Sequence, residues 1–309
     1  MNKNRSLAVI FTLIFMICCQ LTNVYGLENG AGNANDYGSA NSVDFEYITQ
    51  KFLKILINFL PASTQKTVVI PTFVVTPALV ATPTPVPSVY PTSATIPTVY
   101  LAGDSTVQTY NSSYSPLAGW GQMIGNYFTS DVKFVNKAIG GRSSKNFVTE
   151  GRLDEILNAI QKGDYLFVQF SHNDATSKNP DCYADPFTTY KEYLAKYVDG
   201  ARKKGAIPVL ITPAAQLSYR NGTYINDFQY YCYAMKQVAY EKNCAIIDLM
   251  TKCLDYYATL DYDQVYTFYM VSSNGKDFTH FTETGALEVA RLVSNGVKEI
   301  NVPISKCVK

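Results

Sequence analysis

Beyond residue 98 the chain alternates between two hydrophobic periods. The apolar runs Val99 to Ala102, Val132 to Val135, Tyr165 to Phe170, Ile207 to Thr212 and Ala245 to Leu249 are short and nearly unbroken. That is the signature of strands buried on both faces of a parallel sheet. Helical patterns lie between or after most of them. Leu153, Ile156, Leu157 and Ile160 recur at i, i+3, i+4 and i+7 before Gly163; Tyr190, Tyr193, Leu194, Tyr197, Val198 and Ala201 do the same before Gly205. A last helix is predicted from near Thr284 to about Ile300. Strand and helix in repeated alternation imply an α/β fold, with a parallel sheet and helices on both of its faces. In such sheets the chemistry gathers at the carboxyl ends of the strands.

Upstream of that domain the pattern changes. Eight of the 14 prolines fall between Pro61 and Pro97, and no Asp, Glu, Lys or Arg occurs from Thr67 to Gly103. Proline fixes φ and removes backbone donors, so residues 67–98 read as a semi-extended Pro/Thr/Val-rich linker. Residues 27–66, a Gly/Asn/Ser-rich start and then an apolar stretch from Phe45 to Leu60, are too few to fold alone without cysteines. They are either a peptide for docking on a surface or complex, or a remnant leader. Lys3 and Arg5 precede an apolar run from Leu7 to Cys19, and a polar stretch ends at Gly26. Residues 1–26 therefore read as a secretory signal, whose apolar run is short of the ~20 residues that span a bilayer. The expectation is an extracellular protein with no integral membrane association after cleavage, and residues 99–309 as its one folded domain.

Composition adds exclusions. With 26 Lys+Arg against 25 Asp+Glu, the net charge of +1 gives no reason to expect nucleic acid as a partner. At 47% hydrophobic and 17% charged, the chain is neither wholly disordered nor fibrous. Cys182, Cys232, Cys244, Cys253 and Cys307 remain after the signal, an odd set that allows at most two internal bridges. Asn111-Ser112-Ser113 and Asn221-Gly222-Thr223 are candidate N-glycosylation sites.

The strand ends carry the chemistry. Gly103-Asp104-Ser105-Thr106 follows the first run, Gly140-Gly141-Arg142-Ser143 the second and Ser171-His172-Asn173-Asp174 the third; Asp277-Phe278-Thr279-His280 precedes the last helix. A serine hydroxyl becomes a nucleophile when a base takes its proton, and an imidazole does so best when a carboxylate holds its other nitrogen. Ser105, His280 and Asp277 supply those parts, and the i, i+3 spacing lets carboxylate and imidazole project from one turn together. Acyl transfer also needs donors for the developing oxyanion. The backbone N–H groups of Ser105 and Gly141 and the side-chain amide of Asn173 are the candidates.

Gly103-Asp104-Ser105, Gly141, Asn173 and Asp277-x-x-His280, in that order and each behind a strand, resemble the four blocks of the SGNH (GDSL-type) hydrolases. Gly119-Trp120-Gly121, the Asn136 to Ser143 segment, Glu150-Gly151-Arg152 and Phe170 to Asp174 are similar to the rhamnogalacturonan acetylesterase branch of that family. The likeness covers most of residues 98–300. It implies a three-layer, flavodoxin-like α/β/α sandwich, no metal or other cofactor, and hydrolysis of acetyl esters on a plant cell-wall polysaccharide. Acetylated rhamnogalacturonan is the first expectation and acetylxylan the second. One departure is Ser171, where the branch usually has Gly, beside the oxyanion amide.

Several residues carry two readings. His172 is a structural hydrogen-bonding group or a substrate contact, and Trp120, the only tryptophan, packs in the core or stacks on a sugar. Asp104 braces the nucleophile turn. Tyr230, Tyr231, Tyr233, Tyr256, Tyr257, Tyr262, Tyr266 and Tyr269 form a carbohydrate platform or half-buried helix faces. Two wholly different functions are weighed against the esterase. One is a metal hydrolase using His172, Asp174, Asp277 and His280, which lack the spacing of a metal motif. The other is a non-catalytic carbohydrate-binding module.

Overall fold

A computed structural model describes residues 96–309 of the 309-residue chain. The expected secretory signal of residues 1–26, residues 27–66 and the expected linker as far as residue 95 lie outside the described residues. Five strands build one parallel sheet: β1 (Thr98–Gly103), β2 (Lys133–Asn136), β3 (Tyr165–Gln169), β4 (Ile207–Ile211) and β5 (Ala245–Ile247). Their order is β2-β1-β3-β4-β5. In register, Tyr100 lies between Val135 and Leu166, and Leu210 pairs with Ile246. Every residue of β3 and β4 is buried, which is why those runs are apolar without alternation. β5 stops two residues short of the expected Leu249, because Asp248 caps the next helix by accepting the Thr251 N–H.

Helices cover both faces, as the two periods require. On one face lie α1 (Ser144–Thr149), α2 (Arg152–Ala159), α3 (Thr189–Lys203) and α4 (Gln229–Glu241). On the other lie α5 (Leu249–Tyr257), α6 (Glu283–Glu299) and the short helix Trp120–Met123. α3 buries Tyr190, Leu194, Tyr197, Val198 and Ala201, the stripe its spacing predicts, while Tyr193 stays at the surface under Lys196. It carries Arg202 and Lys203 in its last turn, the favourable end for cations. α6 starts on a Thr282 cap that accepts the Gly285 N–H.

The strand order reverses between β1 and β3, so the crevice at their carboxyl ends is the switch point where α/β sheets place ligands. Ser105 and Asn173 follow those two strands. All five described cysteines are buried as free thiols, and burial pushes Cys232, Cys244 and Cys253 up to about 12. Among the described residues no disulfide forms and no helix is long and apolar enough to cross a membrane.

Candidate active site

The nucleophile turn is rooted in the core. The N–H groups of Val107 and Gln108 both donate to the Asp104 carbonyl, at 3.1 and 3.0 Å, and wind the chain into a tight turn that presents Ser105. A Cβ on Gly103 would stand 2.5 Å from the Val107 side chain and 3.1 Å from the Gln169 carbonyl, so only glycine fits there. Asp104 Oδ1 accepts the Thr106 N–H at 2.9 Å and the Thr106 hydroxyl at 2.7 Å. Gln169 Nε2 donates to Thr106 Oγ1, and the Trp120 indole N–H donates to Gln169 Oε1, both at 2.7 Å. Asp104, Thr106, Gln169 and Trp120 are all buried, so the bonds form a continuous polar chain behind the serine. The Tyr110 hydroxyl adds a bond to the Ser105 carbonyl.

The turn before α6 meets this serine from the other side. Asp277 Oδ1 accepts the N–H groups of Thr279 and His280, each at 3.0 Å, an arrangement that holds the carboxylate against its own turn. Its Oδ2 lies 2.8 Å from His280 Nδ1, and His280 Nε2 lies 2.8 Å from Ser105 Oγ. Partial burial works to raise the Asp277 carboxyl, but the bonds from the His280 and Thr279 backbone and the His280 ring outweigh it and hold it below the ordinary carboxylate range. Its charge fixes the imidazole tautomer with Nδ1 protonated, leaving Nε2 free to accept the serine proton.

The loop after β2 completes the crevice. Gly141 has φ 76°, a left-handed conformation that costs an L side chain 1–2 kcal/mol or so. Asn173 Nδ2 donates one hydrogen to the Arg142 carbonyl at 3.1 Å, which ties the loops after β2 and β3 together and leaves its second N–H for a ligand. Asp174 accepts the Ser144 N–H at 3.0 and 3.1 Å and the Ser144 hydroxyl, a second tie between the same loops. Burial pushes the Asp174 carboxyl up to about 7 against those hydrogen bonds.

Four open readings are narrowed. Trp120 is 1% exposed and spends its N–H on Gln169, so it offers no face to a sugar. His172 is also withdrawn from substrate: its side chain is 6% exposed, with Nδ1 3.3 Å from Asp104 Oδ2 and its ring edge-on to Phe228. This contact helps hold Asp104 charged despite burial. Of the eight tyrosines, Tyr231, Tyr257 and Tyr269 are core residues, Tyr256 is partly buried beside Arg291, and Tyr230 and Tyr233 pack on Phe187. The proposed metal set is divided: Asp174 belongs to Ser144, and His280 with Asp277 to Ser105. Ser171 is accommodated at φ 158°, at the edge of the extended range, and its buried hydroxyl has no hydrogen-bond partner. Asn111 and Asn221 are exposed, the first capping a short helical turn and the second at a hairpin tip.

The sequence reading missed Gln169, Tyr110 and the Asp104–His172 contact. Asp104 and His172 stand in two of the strand-end clusters, and the adjacency of β1 and β3 was the signal that joins them.

A serine, imidazole and carboxylate in hydrogen-bonded series at a switch point define a serine hydrolase site. The chain belongs to the GDSL-like lipase/acylhydrolase family, the SGNH hydrolases, matched over residues 99–293, and is a carboxylic ester hydrolase. It is 51% identical over 210 residues to the probable rhamnogalacturonan acetylesterase YesY of Bacillus subtilis (strain 168), covering 68% of this chain and 96% of that one. It is 37% identical over 216 residues to the rhamnogalacturonan acetylesterase RhgT of the same organism, covering 67% and 91%. The fold matches the crystal structure of YxiM from Bacillus subtilis with TM-score 0.61 at 28% identity, over 67% of this chain and 57% of that one.

Proposed function

We propose that the protein is a secreted serine carbohydrate esterase that removes acetyl groups from acetylated rhamnogalacturonan. The observation that carries the reading is the unbroken series Ser105 Oγ, His280 Nε2, His280 Nδ1, Asp277 Oδ2, with 2.8 Å at each contact between side chains. Neutral His280 takes the Ser105 proton as Oγ attacks the acetyl carbonyl carbon, and Asp277 stabilises the imidazolium that forms. The tetrahedral oxyanion is met by the N–H groups of Ser105 and Gly141 and the free N–H of Asn173. Collapse transfers the imidazolium proton to the departing sugar oxygen and leaves an acetyl ester on Ser105. Water, deprotonated by the same imidazole, attacks that ester; acetate leaves and Ser105 recovers its proton. Every step uses groups of the chain and water.

The substrate is supported by two relatives named for rhamnogalacturonan, matched over 96% and 91% of their lengths. Export is supported by the basic and apolar order of residues 1–26, and the linker by the prolines of residues 67–98. The test is acetate release from acetylated rhamnogalacturonan, acetylxylan and a p-nitrophenyl ester. Preference for rhamnogalacturonan is the expected result. Preference for acetylxylan would discard the substrate and keep the chemistry, and sugar binding with no ester cleavage would discard both.

A further inference from the structure

Most aromatic side chains of the described residues are buried or half-buried, yet three large ones near the base turn face solvent: Phe278, Tyr219 and Tyr262, at 45%, 42% and 36% exposure. Phe278 lies between Asp277 and His280. Its carbonyl accepts the Leu217 N–H at 2.8 Å, and Gln216 Nε2 donates to Thr279 Oγ1 at 2.8 Å. The segment leading to Tyr219 is thus fastened directly to the catalytic turn. It enters a hairpin, Tyr219–Arg220 against Thr223–Tyr224, closed by Asn221 and Gly222 at φ 51° and 80°. Two left-handed residues in a two-residue turn fix the register, and Tyr219 sits opposite Tyr224. The buried Tyr224 ring backs Tyr219 at 4.7 Å, and Tyr262 flanks it at 5.0 Å with planes 40° apart.

Such a pair is packed in place by its neighbours before any ligand arrives, and tyrosine gives large contact area at small entropic cost. Clustered exposed aromatics rimmed by polar groups mark a binding surface. The chemistry they suit is a pyranose: one face of the ring presents C–H groups to an aromatic plane, while hydroxyls at its edge bond to phenol or water. We propose that the Tyr219–Tyr262 pair is a pyranose-stacking subsite that holds the polysaccharide beside the acetylated sugar. The inference rests on the reading of the protein as a polysaccharide esterase.

The test compares the parent enzyme with Tyr219→Ala, Tyr262→Ala and the corresponding Phe variants, on acetylated rhamnogalacturonan and on p-nitrophenyl acetate. The alanine variants are expected to raise the KM for the polymer about 10-fold, the size of a lost binding anchor, and to leave p-nitrophenyl acetate turnover unchanged. The Phe variants keep the ring face and should keep the polymer KM. Unchanged polymer KM in the alanine variants would overturn the subsite, as would an equal loss on the small ester, which would mean the rings only support the fold. If the parent enzyme cleaves the small ester but no acetylated polysaccharide, the functional reading fails first and the subsite with it.

Discussion

The two halves of the catalytic series are built by different means. The serine stands on a turn whose supports, Asp104, Thr106, Gln169 and Trp120, are buried side chains linked from strand to strand. The base stands on a turn whose side chains are about a third exposed, 27% for Asp277 and 32% for His280, and which is held by backbone N–H groups. A nucleophile braced by the core inherits the stability of the fold. A base held by its own turn can vary in its exposed neighbours without disturbing the sheet, and that is where the aromatic surface is found.

The comparison makes graded predictions. Ser105→Ala removes the attacking oxygen and should cost on the order of 10⁴-fold or more in kcat, with an unchanged melting temperature because its Oγ supports nothing in the core. Asn173→Ala removes one oxyanion donor and should cost roughly 10²–10³-fold in kcat, checked by steady-state kinetics on a small acetate ester. Asp174 sharpens the contrast through pH. Its folded carboxyl keeps the proton up to about 7, whereas the unfolded chain releases it near 3.8. The stabilisation is therefore complete below the lower value and is lost as pH rises through about 7. The melting temperature of Asp174→Asn should depend less on pH across that window than that of the parent. Trp120→Phe, which leaves buried Gln169 Oε1 without its donor, should lower stability by about 1–3 kcal/mol in urea denaturation.

The parts of this site that were legible in the sequence share one property: they are local. The five strands were readable as apolar runs, and Asp277 and His280 sit three positions apart in one turn. Ser105, Gly141 and Asn173 became candidates because the fold class says which strand ends to inspect. What escaped is long-range. Nothing near Asp104 announces His172, and nothing near Trp120 announces Gln169; both contacts exist because β3 lies beside β1. The tyrosines stayed open for a related reason. Spacing places Tyr257 and Tyr262 alike on helices, but only the packing of Tyr257 against Phe268 and Tyr269 buries one and spares the other.

The most direct test of the central claim is to quench the enzyme rapidly with acid while it turns over p-nitrophenyl acetate and to map the acetyl group by peptide mass spectrometry. An acetyl group on the peptide carrying Ser105, absent in Ser105→Ala, is the predicted result. Ester cleavage by Ser105→Ala at the parental rate, with no acetyl on Ser105 in the parent, would contradict it.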